Sequence, residues 1–90
     1  MKVIKIGAVW CSGCLVMRPR WQSIETSHPW LKTEYYDFDQ DQTKLKNYKL
    51  NTSQLPTFIF LDKNNHELTR VSGEIKTEKL IELITTYKDK

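Results

Sequence analysis

Only two cysteines occur in this chain, and they stand three positions apart in Cys11-Ser12-Gly13-Cys14, between a β-branched run and a helical pattern. A bridge between residues so close closes a very short loop and removes little freedom from the unfolded chain, so it is no structural staple. Small disulfide-stapled domains spread several cysteines along their length, whereas a lone pair at this spacing points to redox chemistry or metal ligation. Two ordinary buried cysteines are the third reading. The placement favours redox chemistry. At a helix N-terminus the unpaired backbone N–H groups and the helix dipole favour thiolate over thiol. Cys11, just before or at the helix start, is the candidate attacking thiolate. Cys14, one turn in, is the candidate resolving thiol, expected on the same side but deeper. A zinc site would need His28, His66 or a second chain to complete it, and neither histidine has a companion at ligand spacing.

The pattern around the motif reads as alternating strands and helices. Lys2 to Val9 carries Val3, Ile4, Ile6 and Val9, a near-continuous apolar run suited to a strand covered on both faces. A helix follows from Ser12 to about Thr26, with Ser12 as its cap, Leu15, Val16, Trp21 and Ile24 as its apolar residues, and Pro19 as a kink. After Ser27, His28 and Pro29, Thr33 to Phe38 is a second strand, and strand, helix and strand form a right-handed crossover. Asp41 or Thr43 caps a short helix through Leu45 and Tyr48, and Asn51 to Gln54 is loop. Thr57 to Leu61 and Glu67 to Val71, joined by the polar turn Asp62 to Asn65, form a hairpin. Beyond Gly73 a last helix, capped by Thr77, places Leu80, Ile81, Ile84 and Tyr87 on one stripe. The order is β-α-β-α-β-β-α: an α/β fold with a four-stranded mixed sheet flanked by three helices, in a single domain over residues 1–90.

Size and charge exclude several function classes. Ninety residues hold one sheet and a few helices. A net charge of +3, mixed among acids and bases, argues against nucleic acid as a partner. No apolar run approaches the ~18 residues of a membrane span. Met1 to Trp10 contains Lys2 and Lys5 and runs into the cysteine motif without the apolar stretch of an export signal, which predicts a reducing, cytoplasmic setting.

The string Ala8-Val9-Trp10-Cys11-Ser12-Gly13-Cys14, together with Pro19, the step Leu55-Pro56-Thr57 and Gly73, resembles the thioredoxin family over nearly the whole chain. The resemblance implies a thioredoxin-like fold and a protein thiol-disulfide oxidoreductase working as a monomer. It would need no cofactor or metal beyond its own Cys11-Cys14 pair. Protein disulfides would be its substrates, and a thioredoxin-reductase-like or other thiol reductant would regenerate it. Trp10 would border the active site. Pro56 would be cis, with its loop against the cysteines, and Leu55 would offer backbone groups to a substrate segment in the manner of an added strand. Ser12, Gly13 and Gly73 complete the surround. A glutaredoxin-like variant would use glutathione instead, but the Thr-Val-Pro step and glycine pair of many such proteins are absent. The alternative function is a binding module of the same fold, whose cysteines hold a metal or whose Leu55-Pro56 loop docks a partner without redox turnover.

Three departures from the resemblance carry their own expectations. The sequence begins directly at the strand leading to the cysteines, without the extra strand and helix of ordinary thioredoxins, which leaves Tyr35, Tyr36 and Phe38 on an exposed edge flanked by Asp37 and Asp39. Ser12-Gly13 stands where thioredoxins usually have Gly-Pro, which frees a backbone N–H and adds a hydroxyl near Cys11, making the disulfide more oxidising. Lys5 occupies the place of the buried aspartate that moves protons at the resolving cysteine, and is expected to reach solvent.

Other signals fall away. Asp37, Asp39 and Asp41 resemble the start of a calcium loop, but Gln42 and Tyr48 occupy positions that need glycine and glutamate. Asn51-Thr52-Ser53 is a glycosylation sequon that matters only in an exported chain. The lysines and acids of the last helix and its tail are a solvated face.

Overall fold

In the computed structural model, which describes residues 1–48 and 55–90, the apolar run after Met1 becomes the central strand β1 (Lys2–Gly7). Its burial explains its composition. Val3, Ile4 and Ile6 are each at most 1% exposed, because helices cover both sides of the sheet. Strand β2 (Lys32–Asp37) pairs with it in parallel, and β3 (Thr57–Leu61) pairs with its other edge antiparallel. Strand β4 (Glu67–Ser72) closes a hairpin with β3, giving the order β2-β1-β3-β4. The helices are α1 (Ser12–Ser27), α2 (Gln42–Leu45) and α3 (Thr77–Thr86), and a single 3₁₀ turn over Lys46–Tyr48 extends α2. The expected β-α-β-α-β-β-α order and mixed sheet are therefore present. The loop expected at Asn51 to Gln54 lies outside the described residues.

The two-residue period of the strands sorts the core into two layers. Val3, Phe58 and Phe60 face α1 and α3, where they meet Met17, Trp21, Ile24, Leu80 and Ile84. Ile4, Ile6, Ile59 and Leu61 face the opposite way and are covered by Leu45 of α2, with Tyr36, Phe38 and Leu55 at the margin. Each of these large side chains contributes roughly 1.5–3 kcal/mol by leaving water. Trp21 anchors the first layer, its ring 5.3 Å from Phe58 and 6.5 Å from Phe60.

Several local expectations change. Strand β1 ends at Gly7 rather than Val9. Residues 8–10 leave the sheet in a turn closed by the Cys11 N–H donating to the Ala8 carbonyl at 3.2 Å, and Val9 is 84% exposed. The buried stripe of α1 is Met17, Trp21 and Ile24, while Leu15 and Val16 are exposed beside the cysteine motif. Pro19 stands inside α1 on its exposed side without ending it. Thr77 is the first residue of α3, not its cap; Lys76 occupies that position and makes no side-chain capping bond. Of the three aromatic residues expected on the exposed edge, only Tyr35 is exposed, since Tyr36 and Phe38 pack on the α2 side. The Asp37, Asp39 and Asp41 series builds a turn: Asp37 Oδ1 accepts from the N–H of Asp39 and of Gln40, and Asp41 Oδ2 accepts from the Asp37 N–H.

Candidate functional site

The turn that lifts residues 8–10 off the sheet delivers Cys11 to the start of α1. Cys11 has extended backbone angles (φ −94°, ψ 110°) and is itself the N-cap, its Sγ accepting the Cys14 N–H at 3.2 Å. Ser12, expected as the cap, is the first residue of the helix and is exposed. The consequence is chemical, because the cap position is where a side-chain acceptor meets the unpaired N–H groups of the first turn. A sulfur there gains more from those donors as thiolate than as thiol. The first turn of α1 holds no acidic residue to oppose that effect.

Cys11 and Cys14 are joined as a disulfide, with Cα atoms 5.3 Å apart. Cys14 is not the deeper of the two. Cys11 is 8% exposed, tucked under the turn that it caps, whereas Cys14 is partly exposed and opens onto a cavity on the α1 side of the sheet.

In front of the helix start lies Pro56, just before β3. The Leu55-Pro56 bond is cis, as the resemblance implied, and Pro56 sits against Gly13: a Cβ built on Gly13 would come within 3.2 Å of Pro56 Cδ. A side chain at position 13 would fit only if Pro56 gave way by a few tenths of an ångström. Gly73, at φ +86°, turns the chain after β4 so that its N–H donates to the Pro56 carbonyl at 2.8 Å. The segment that follows is fastened to α1 by Arg20 Nη1, donating to the Ile75 carbonyl at 2.8 Å, and by the Ile75 N–H on Met17 Sδ at 3.3 Å. Cys11, Cys14, Gly13, Pro56 and Gly73 are thus brought together. Trp10 stands on the neighbouring turn, 55% exposed, with Nε1 donating to Asp39 Oδ2 at 2.7 Å. Leu55 turns its side chain toward the α2 core.

Behind Cys14 the structure adds residues that the sequence reading missed. A cavity of about 70 Å³ is lined by Lys5, Gly7, Cys14, Arg18, Tyr35 and Pro56, among others. Lys5 is only partly exposed. The alternation of β1 points it toward α1, where its ammonium pairs with Glu25 Oε2 at 3.1 Å and its side chain is 18% exposed. Glu25 also accepts from the Thr33 hydroxyl at 2.6 Å, so one carboxylate serves both strands. Tyr35 lies opposite Lys5 in the parallel register. Its phenol pKa is raised, first by burial and then by Asp37 and Asp41, against a lowering influence of Arg18. Strand period alone would have put Lys5 and Gly7 on one face; Tyr35 required the register, and Glu25 the packing of α1 on the sheet.

The thioredoxin family model matches residues 1–86. The chain belongs to the thioredoxin family. Thioredoxin H5 of Oryza sativa subsp. japonica is 30% identical over 71 residues, covering 79% of this chain and 50% of that relative. This chain therefore spans about half the length of the curated relative it matches. Among solved structures, thioredoxin of Fasciola hepatica superposes with a TM-score of 0.83 at 29% identity, over 94% of this chain and 78% of its own. Thioredoxin 1 of Thermosipho africanus gives a TM-score of 0.81 at 26% identity, over 98% of this chain and 94% of its own. Among the described residues no three His, Cys, Asp or Glu side chains gather as metal ligands, and no helix is long and apolar enough to cross a membrane.

Proposed function

We propose that this chain is a thiol-disulfide oxidoreductase that exchanges electrons with protein disulfides through a reversible Cys11-Cys14 couple. The observation that supports it most is Cys11 Sγ at the cap of a 16-residue helix, accepting the Cys14 N–H, within bonding reach of a second sulfur. In this reading the Cys11 thiolate attacks one sulfur of a partner disulfide and forms a mixed disulfide. Cys14 then displaces the partner, and two electrons have passed from the dithiol to the partner. The partner's extended segment lies along Leu55 and Pro56, with Trp10, Ser12, Gly13 and Gly73 framing the sulfurs. A thioredoxin-reductase-like enzyme or another thiol returns Cys11 and Cys14 to the dithiol.

Equilibration in dithiothreitol or glutathione buffers, with acid quench, alkylation and mass counting, tests the couple. A reversible two-electron transition between about −290 and −180 mV is expected. Cys14→Ser should then hold partners as mixed disulfides through Cys11, and Cys11→Ser should hold none. A pair that never forms the internal disulfide, or partner binding that survives replacement of both cysteines by serine, would transfer the chain to the binding-module reading.

A further inference from the structure

Gly7 has no side chain, and two other residues use the space. A Cβ built there would lie 3.0 Å from Cys14 Sγ and 3.1 Å from the Tyr35 hydroxyl, so sulfur and phenol oxygen both border the space above Gly7. The strand register makes this specific. Tyr35 stands opposite Lys5 and two pairs before Gly7, on the face of β2 that looks toward α1.

The groups facing Cys14 come from each neighbouring element. Lys5 comes from β1 with its ammonium paired to Glu25, and Arg18 from α1 itself. Pro56 and Phe58 bring no charge from the β3 side, and Tyr35 comes from β2. Asp37 and Asp41 lie beyond Tyr35 and act on its phenol. No carboxylate lines the cavity among the described residues. A base that removes the Cys14 proton is therefore not built into this wall, while a neutral O–H donor and two cations are.

Resting on the dithiol reading above, we infer that Tyr35 belongs to the redox site, its hydroxyl donating a hydrogen bond to the Cys14 sulfur once the disulfide opens and holding that sulfur as thiolate. In the resolving step the Cys14 thiol gives its proton to water. The thiolate electron pair forms the bond to Cys11 Sγ as the bond between Cys11 and the partner sulfur breaks. The partner leaves as a thiolate and takes a proton from solvent. Tyr35 keeps its own proton throughout, which its raised pKa favours. A donor to the charged form lowers the pKa of the group it serves.

The test uses the full chain with Cys11→Ser, in which Cys14 is the only thiol, so its outcome is independent of whether the couple turns over. The rate of alkylation by iodoacetamide is followed by mass across pH, with and without Tyr35→Phe. The expected result is a Cys14 titration curve displaced upward in the phenylalanine variant, with severalfold less thiolate at any pH below its midpoint. The curve of Cys11, read in Cys14→Ser, should stay in place under the same substitution. A Cys14 curve that does not move, or Cys11 and Cys14 curves that move together, would overturn the assignment. Tyr35 is 50% exposed and phenylalanine keeps its ring, so the variant retains the strand packing, and circular dichroism checks that it does.

Discussion

Gly7→Ala should make the Cys11-Cys14 disulfide more oxidising. The added methyl would sit 3.0 Å from Cys14 Sγ and 3.1 Å from the Tyr35 hydroxyl, well inside ordinary contact, so something must move. Tyr35 is half-exposed and swings away at small cost. Cys14 has no such freedom while its sulfur is bonded to Cys11 and its backbone belongs to α1. Once reduced, the side chain turns about its Cα–Cβ bond and leaves the methyl clear. Overpacking of this kind costs about 1–3 kcal/mol. If the strain falls on the oxidised form alone, the potential rises by roughly 20–60 mV, because 1.4 kcal/mol corresponds to about 30 mV for a two-electron couple. Replacing glycine also restricts the unfolded chain, by about 0.4–1 kcal/mol, but that acts alike on both redox forms and cancels from the difference. The assay is the buffer titration above, run beside thermal unfolding of each form. An unchanged midpoint, a displacement toward more negative potential, or an equal loss of stability in both forms would refute the reasoning.

Four further outcomes follow from the same structure. Glu25→Ala leaves the Lys5 ammonium and the Thr33 hydroxyl without their shared acceptor, and should cost about 1–2 kcal/mol in urea unfolding, moderated because the Glu25 side chain is 34% exposed. Lys5→Met combined with Glu25→Leu should recover most of that loss, since two apolar groups replace a pair that both partners had to desolvate. Gly73→Ala meets open space, so its whole cost is the left-handed backbone at φ +86°, about 1–2 kcal/mol, and Gly73→Asn should cost less. Arg70 holds the Glu67 carboxyl below the usual glutamate range through two hydrogen bonds of 2.6 and 2.8 Å. The stability this adds is present above the ordinary glutamate pKa and is lost as pH falls through the depressed folded value. The advantage of the native chain over Glu67→Gln should thus be under about 1 kcal/mol near neutrality and shrink in acid, as read from unfolding midpoints across pH.

The sequence carried the fold wherever a segment's own composition decides its state. Thr57 to Leu61 was read to the residue, because a five-residue β-branched and aromatic run between Pro56 and Asp62 has one way to lie in a covered sheet. The cis bond before Pro56 and the packing of its loop against Gly13 followed only from the family resemblance; nothing in local propensity distinguishes that proline. Leu15 and Val16 misled, since their apolar character serves the exposed surround of the cysteines and not the core. Lys5 misled for a different reason. Its partner Glu25 is 20 residues away on a helix whose rotation against the sheet no pattern states, so the ion pair that holds its ammonium could not be foreseen. Ser12 looked like the cap because hydroxyls usually are, yet the turn at Ala8 advances the cap by one residue and gives that position to Cys11.

On the proposed function, the clamp around Ile75 governs what kind of protein this chain serves. Arg20 and Met17 grip that segment from α1, and Gly73 grips Pro56 from the other side, so the jaw that flanks the sulfurs is assembled before any partner arrives. A preassembled jaw loses little freedom on closing around a segment, and the entropy of ordering falls on the visitor. On the proposed function, the chain therefore selects by pliancy. Disulfides in loose loops or partly unfolded chains can thread themselves into a fixed slot, whereas those locked inside rigid cores present a shape that the slot does not bend to meet.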